Sequence, residues 1–301
     1  MTLTLAASKR PPSLWPLSPR MLPESLIEQV LTKLGLRHRP VPSPQSLRDL
    51  YGRWGRRVPF DNVRKLIHVR AESSGPLPGS TPEDFFTAWL THGTGGTCWA
   101  GSGALNALLT ALGFHARRGI ATMLAAPGLP PNHGTLMVTF GSQRYLVDTS
   151  ILHDEPLLLD DADSTVTHPA WGVRAFLREG QWHILWRPLH KTDGFECRIE
   201  RFGASAEEYS RLYAATRNWS PFNYQVSARL NQTDRVTGLG FGQAVTLHSD
   251  GSVSNTPATR EDRMRVLVEE IGLSEEIVSR LPEDVPTPPP PGSQSAQNQP
   301  E

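Results

Sequence analysis

Cys98 is the residue in this chain best placed to act as a nucleophile. It follows a glycine-rich turn, Gly93-Thr-Gly-Gly-Thr97, and precedes an apolar helical pattern of Leu105, Leu108, Leu109 and Leu112 that Gly113 ends. The spacing predicts a helix with one buried face and Cys98 at or near its N-terminus. There the free N–H groups and the positive end of the helix dipole stabilise a thiolate. The same N–H groups could bind an oxyanion. A lone cysteine is more often a small buried hydrophobe, so the assignment needs partners.

Two partners come from a hairpin. The runs His133-Gly-Thr-Leu-Met-Val-Thr-Phe140 and Gln143-Arg-Tyr-Leu-Val-Asp148 flank the dipeptide Gly141-Ser142, which predicts two strands and a tight turn. In that register Phe140 faces Gln143 and Asp148 faces Thr135. His133, two residues along, shares their face, so His133 and Asp148 are diagonal neighbours roughly 7–8 Å apart. A carboxylate beside an imidazole fixes its tautomer and supports its protonated form. Either residue alone reads as an ordinary polar strand residue; both on one face, after a helix-start cysteine, do not.

The elements around them follow from periodicity. Helices are predicted from about Pro23 to Leu34, from Ser43-Pro44 through Trp54, from Thr81-Pro82 through Leu90, and after Cys98. The segment from Arg57 to Val63 reads as irregular. From Phe114 the period changes to two: Arg118–Leu124, the hairpin, Trp182–Trp186, Phe195–Phe202, Val226–Leu230 and Ala244–His248 read as strands. Ala125–Asn132 and Pro156–Pro169 read as loops, the second with a solvated acidic cluster, Asp160, Asp161 and Asp163. Capping patterns at Ser205, Thr259 and Ser274 open three later helices, the last ending near Leu281. Residues 1–20 read as a disordered leader. The proline run and polar end after 281 read as extended or disordered.

Composition narrows the function. The 301 residues carry 30 acidic and 30 basic side chains, so no net charge draws the chain to nucleic acid or a membrane surface. Ten histidines are scattered outside any zinc pattern, and no metal is expected. The two cysteines, Cys98 and Cys197, lie far apart and form no disulfide framework; Cys197 reads as structural. No apolar run has the length of a signal core or a membrane span. A cytoplasmic protein is expected.

Taken in order, the landmarks resemble the arylamine N-acetyltransferases. Val58-Pro59-Phe60-Asp61-Asn62 is similar to the family's Val/Ile-Pro-Phe-Glu-Asn segment, and Gly95-Gly96-Thr97-Cys98-Trp99 to its catalytic turn. His133 at a strand start and Tyr145-Leu146-Val147-Asp148 match its histidine and aspartate. Asn218-Trp-Ser-Pro-Phe-Asn-Tyr-Gln resembles, more weakly, a segment of its third domain. The resemblance spans about residues 21–281. It implies an α+β fold with a papain-like Cys-His-Asp arrangement: a helical domain over 21–113, an antiparallel β-barrel over 114–204, and an α/β lid over 205–281, with a leader over 1–20 and a tail over 282–301. It implies Cys98, His133 and Asp148 as catalytic residues and Phe60 in the acceptor pocket; Trp99 is a further candidate for its apolar wall. No bound cofactor is implied. Acetyl-coenzyme A or another acyl-coenzyme A would be co-substrate, and a small-molecule amine the acceptor.

This chain departs from the family pattern around the nucleophile. Thr94 stands where arginine is expected, Ala100 where glutamate is expected, and Thr149-Ser150-Ile151 where a glycine-containing segment is expected. Four readings stay open: an acyltransferase of the family's kind; an amide synthase taking a polyketide-type acyl thioester, with a carrier protein as possible partner; a cysteine hydrolase or transglutaminase-like enzyme; and a non-catalytic interaction module.

Overall fold

The computed structural model describes residues 22–124, 129–151, 154–159, 163–167, 170, 172–189, 191 and 194–291. The leader expected over 1–20, Asp160 and Asp161 lie outside the described residues. The first third is helical, as the periodicity predicts: α1 Glu24–Lys33, α2 Pro44–Arg57, a two-residue strand β1 Phe60–Asp61, α3 Val63–Arg70, α4 Pro82–His92 and α5 Cys98–Ala111. Ser43 and Ser46 form a reciprocal capping box ahead of α2. Thr81 accepts a hydrogen bond from the Asp84 N–H ahead of α4. Their apolar stripes meet in one core, in which Trp54 stacks on Phe85 at 5.9 Å between ring centroids.

Helix α3 is an unpredicted element that follows the segment read as irregular. No Ser, Thr or Pro announces it. Instead the Asp61 carboxylate accepts from the Val63 N–H, 3.0 Å, and the short stripe Val63, Leu66, Ile67 is buried against the C-terminal part of the chain. Eight residues carry too little periodicity to separate from a loop.

The middle of the chain is an eight-stranded antiparallel sheet. Its strands are β2 His115–Met123, β3 His133–Phe140, β4 Gln143–Leu146, β5 Leu157–Leu158, β6 Asp163–Val166, β7 Val173–Arg178, β8 Gln181–Trp186 and β9 Phe195–Phe202. They lie in the order β5-β4-β3-β2-β9-β8-β7-β6, and the two ends, β5 and β6, come together, so the sheet nearly closes into a barrel. Strands β5 and β6 correct the loop expected over Pro156–Pro169. They are short and are held by distant partners, Leu157 by Leu146 and Val166 by Val173. Asp163 of the acidic cluster is exposed and bridges Arg174.

After α6 Ala206–Ala215, a turn of 3-10 helix over Pro221–Asn223 leads into β10 Ser227–Asn231, β11 Arg235–Gly240, β12 Gln243–His248 and β13 Val253–Pro257. These pair with β1 into a second sheet, β1-β10-β11-β12-β13. Helix α7, Arg260–Met264, continues as a π-helical stretch, Arg265–Glu270, and α8 spans Glu275–Val278. Residues 282–291 have no regular structure, but they are not free. The Val285 N–H donates to the Tyr224 carbonyl at 3.0 Å, and Asp284 accepts from the Val226 N–H at 3.0 Å. Among the described residues no helix is long and apolar enough to cross a membrane.

Candidate active site

The hairpin register is the predicted one: Phe140 pairs with Gln143 and Met137 with Leu146. The second strand ends at Leu146, the Val147 N–H still donates to the Leu136 carbonyl at 3.1 Å, and Asp148 follows before the chain turns at Thr149. The Asp148 Oδ2 accepts from His133 Nε2 at 2.7 Å, with both side chains buried. The other carboxylate oxygen accepts from the N–H groups of Ser150 and Ile151 at 2.8 and 3.0 Å. The Tyr51 hydroxyl of α2 donates to the Asp148 carbonyl at 2.6 Å. Asp148 is therefore held at backbone and side chain.

The Cys98 side chain lies near enough to the His133 ring to help hold it charged. With Nε2 on Asp148, Nδ1 is the nitrogen left for sulfur. Burial by itself would lower the imidazolium pKa. The Asp148 carboxylate and the Cys98 side chain outweigh it and hold His133 well above its ordinary value. Burial would likewise raise Asp148, and His133 holds it below the usual carboxylate range. Cys98 is the first residue of α5. Cys197, by contrast, lies inside the barrel on β9, and burial pushes its thiol well up.

The turn that presents Cys98 is braced from behind. Phe60 bridges Gly96 in parallel fashion, and the buried Asp61 accepts from the Gly95 N–H at 2.6 Å. Burial raises the Asp61 pKa to about 6 against the pull of its two N–H donors. A Cβ on Gly95 would lie 1.8 Å from the Pro59 carbonyl oxygen, so only glycine fits. Asn62 ties the same segment to the C-terminal sheet, donating to the Phe222 and Gln225 carbonyls and accepting from the Ser227 N–H.

One of the departures, Thr149, packs against the first turn of α5. Gly101 leaves room for Thr149, whose Oγ1 would lie 2.8 Å from a Cβ there. Ser102 donates to the Gly134 carbonyl at 3.0 Å and contacts the Thr149 hydroxyl at 3.1 Å. A Cβ on Gly134 would meet the Tyr209 hydroxyl at 2.3 Å and Trp99 at 2.8 Å. Its absence lets both rings lie over β3. Trp99 is buried there, edge-on to Tyr209 with centroids 4.8 Å apart. Phe60 is buried edge-on to Phe222, centroids 5.2 Å apart.

Periodicity did not single out Tyr51, Asp61 or Lys65 for the site. Tyr51 reads as part of a core stripe, and Lys65 lies just beyond the segment read as irregular, where no element was predicted. Only the match of Val58–Asn62 to the family pattern pointed to this region. Lys65 and Thr97 line a small inner cavity with Asp61, Arg64, Pro78, Gly95, Gly96 and Tyr213. An outer cleft of about 360 Å³ shares Arg64 and Pro78 with it and carries His68, His92 and Arg280. Arg64 is paired with Asp84 at 2.7 Å where the two spaces adjoin. Among the described residues no cluster of side chains could hold a metal ion.

Known proteins share this fold. The family model described as N-acetyltransferase matches residues 44–278. An arylamine N-acetyltransferase of Mycolicibacterium smegmatis is 30% identical over 125 residues, 39% of this chain and 43% of that protein. The aligned segment thus spans less than half of that relative. The solved arylamine N-acetyltransferase of Mycobacterium abscessus superposes with a TM-score of 0.70 at 17% identity, over 85% of this chain and 93% of that one. That of Salmonella typhimurium superposes with a TM-score of 0.69 at 18% identity, over 83% and 91%.

Proposed function

Because the chain belongs to the N-acetyltransferase family, we propose that it moves an acetyl or other acyl group from a coenzyme A thioester through Cys98 to a small-molecule amine, by a ping-pong route. The observation that carries the reading is the Cys98–His133–Asp148 chain, with the thiol at the first position of α5 and the imidazole held by a buried carboxylate at 2.7 Å. His133 holds the proton given up by the thiol before substrate arrives, and Asp148 steadies that imidazolium. The thiolate attacks the thioester carbonyl. Free N–H groups at the start of α5 face the oxyanion that forms. Collapse expels the coenzyme A thiolate, which takes the proton from His133 and leaves an acyl-cysteine. An amine then attacks that carbonyl. His133 removes the amine proton as the Cys98 thiolate leaves, and the amide departs.

The three-part division serves this route. The helical part, 21–113, carries the nucleophile; the barrel, 114–204, carries His133 and Asp148; the part from 205 to 281 covers them as a lid. Phe60 gives the acceptor an apolar wall. Trp99, next to the nucleophile and against Tyr209, closes the side toward α6. The outer cleft, with Arg64 and Arg280, suits the anionic coenzyme A. Water has little access to an acyl-cysteine built on a 5% exposed residue, which favours an amine acceptor over hydrolysis.

Free coenzyme A release tests the reading. With acetyl-coenzyme A alone, release should stop after one equivalent or run slowly. It should accelerate on adding an aniline, hydrazine or aliphatic amine. Release that no amine accelerates, for any of several acyl donors, would replace transfer with hydrolysis.

A further inference from the structure

The hairpin between β11 and β12 carries a residue that its turn does not favour. Gly240 pairs with Gln243, so the loop is the two residues Phe241 and Gly242, and both have positive φ, 50° and 83°. A two-residue turn with both φ positive favours Asn, Asp or Gly at its first position. Glycine meets that need at 242. Phenylalanine does not meet it at 241, because its Cβ crowds the backbone in the left-handed region. Among the described residues only Glu72 and Glu179 share this conformation without being glycine, and both are exposed turn residues. Phe241 is the one apolar side chain held there. Strain of this kind persists where the surrounding structure uses what it places.

What it places is a ring. Phe241 stacks on Phe222 with centroids 6.3 Å apart and planes 24° apart. Phe222 in turn meets Phe60 edge-on at 5.2 Å. Phe60 bridges Gly96 in the turn that presents Cys98. Three rings, from β1, the 3-10 turn and the β11–β12 hairpin, thus form a row. Its inner end, Phe60, is buried, while Phe222 and Phe241 are only half-buried. A row of core rings would be closed to solvent throughout. This one leads from the surface to the turn beside the nucleophile.

Resting on the reading of Phe60 as the acceptor's apolar wall, we propose that Phe241 is a specificity-determining residue of the amine site: Phe222 and Phe241 carry that wall outward, and Phe241 receives the second ring of an amine too long for Phe60 alone. Aromatic rings pair edge-on or offset rather than fully face to face, and the exposed parts of Phe222 and Phe241 offer both contacts.

Two amines isolate the effect. 4-Phenoxyaniline and 4-methoxyaniline share the para oxygen and differ by one ring. With acetyl-coenzyme A as donor, the unaltered chain should prefer the phenoxy amine in kcat/KM. Phe241→Asn suits the turn and should fold with an equal or higher melting temperature. Its kcat/KM should fall about tenfold for 4-phenoxyaniline, the scale of one aromatic pair, and stay within about twofold for 4-methoxyaniline. Phe241→Tyr keeps the ring and should keep the preference. Single-turnover acylation of Cys98 by acetyl-coenzyme A should be unchanged in every variant, which places the effect on the amine side. Should the asparagine variant not fold, Phe241→Gly, unstrained at that φ, answers the same question. The proposal is overturned by no preference in the unaltered chain, by an unchanged ratio in a folded variant, or by an equal loss for both amines, which would make the ring a support of the site's shape. Slower acylation in the variants overturns it too, because Phe241 would then serve the donor. If neither amine speeds coenzyme A release from the unaltered chain, the acceptor reading fails and takes the proposal with it, a result distinct from an unchanged ratio.

Discussion

At the scale of single residues, the account depends on Asp148 acting through His133. Asp148→Asn keeps the shape and the backbone hydrogen bonds of the loop but no longer stabilises the imidazolium. Turnover should fall on the order of ten-thousand-fold, as in other triads, with the melting temperature little changed. Near-normal turnover would remove Asp148 from the mechanism. The directions of the two pKa shifts also set a pH profile. His133 is held protonated above its ordinary value near 6.5, so what it adds to stability is complete below about 6.5 and is lost as pH rises through its raised folded value. Asp148 is held below its ordinary value, so its contribution is complete above about 3.9 and is lost as pH falls through the lowered one. Between these limits the imidazolium persists beside Cys98. Iodoacetamide should therefore alkylate Cys98 much faster than Cys197, whose thiol burial holds protonated. Equal rates would show that Cys98 is not the activated thiol.

At the scale of elements, the site is built by two devices: a tight hairpin, and a glycine turn braced by β1. The second has no slack. Gly95→Ala would push a methyl group into the Pro59 carbonyl, 1.8 Å away. Backbone cannot step aside as a side chain can. The change should cost about 2–4 kcal/mol by chemical denaturation and slow Cys98 alkylation sharply. A variant of unchanged stability would mean that the turn does not rest on β1. The hairpin was legible because it is local: a two-residue turn and a period of two place Asp148 next to His133 by counting alone. Helix starts at Ser43, Thr81, Ser205 and Thr259 were legible for the same reason, since each cap is written within four residues. Strands β5, β6 and β7 were not. Asp163–Val166 and Val173–Arg178 take their identity from partners across the sheet, and pairing of that kind leaves no signature in the segment itself. Lys65 was hidden because α3 is short and a buried lysine looks like any surface lysine until its neighbours are known.

At the scale of the molecule, the helical part, the barrel and the C-terminal sheet meet around one thiol, and the end of the chain helps to hold them. From sequence, removing residues 283–301 should matter little, because a proline run buries too little apolar area to order itself. The hydrogen bonds of Asp284 and Val285 to the segment before β10, with the Arg263–Asp284 ion pair, change that expectation. Truncation after Pro282 should lower stability by about 1–2 kcal/mol, and an unchanged melting temperature would show that those bonds contribute nothing net. The central claim, that Cys98 carries an acyl group between a thioester and an amine, is tested most directly by intact-protein mass spectrometry. Incubation with acetyl-, propionyl- and malonyl-coenzyme A should give at least one stoichiometric adduct of the acyl mass, mapped to Cys98 and discharged as an amide when an amine is added. Absence of an adduct from every donor, or discharge to the free acid at a rate that no amine increases, would contradict it.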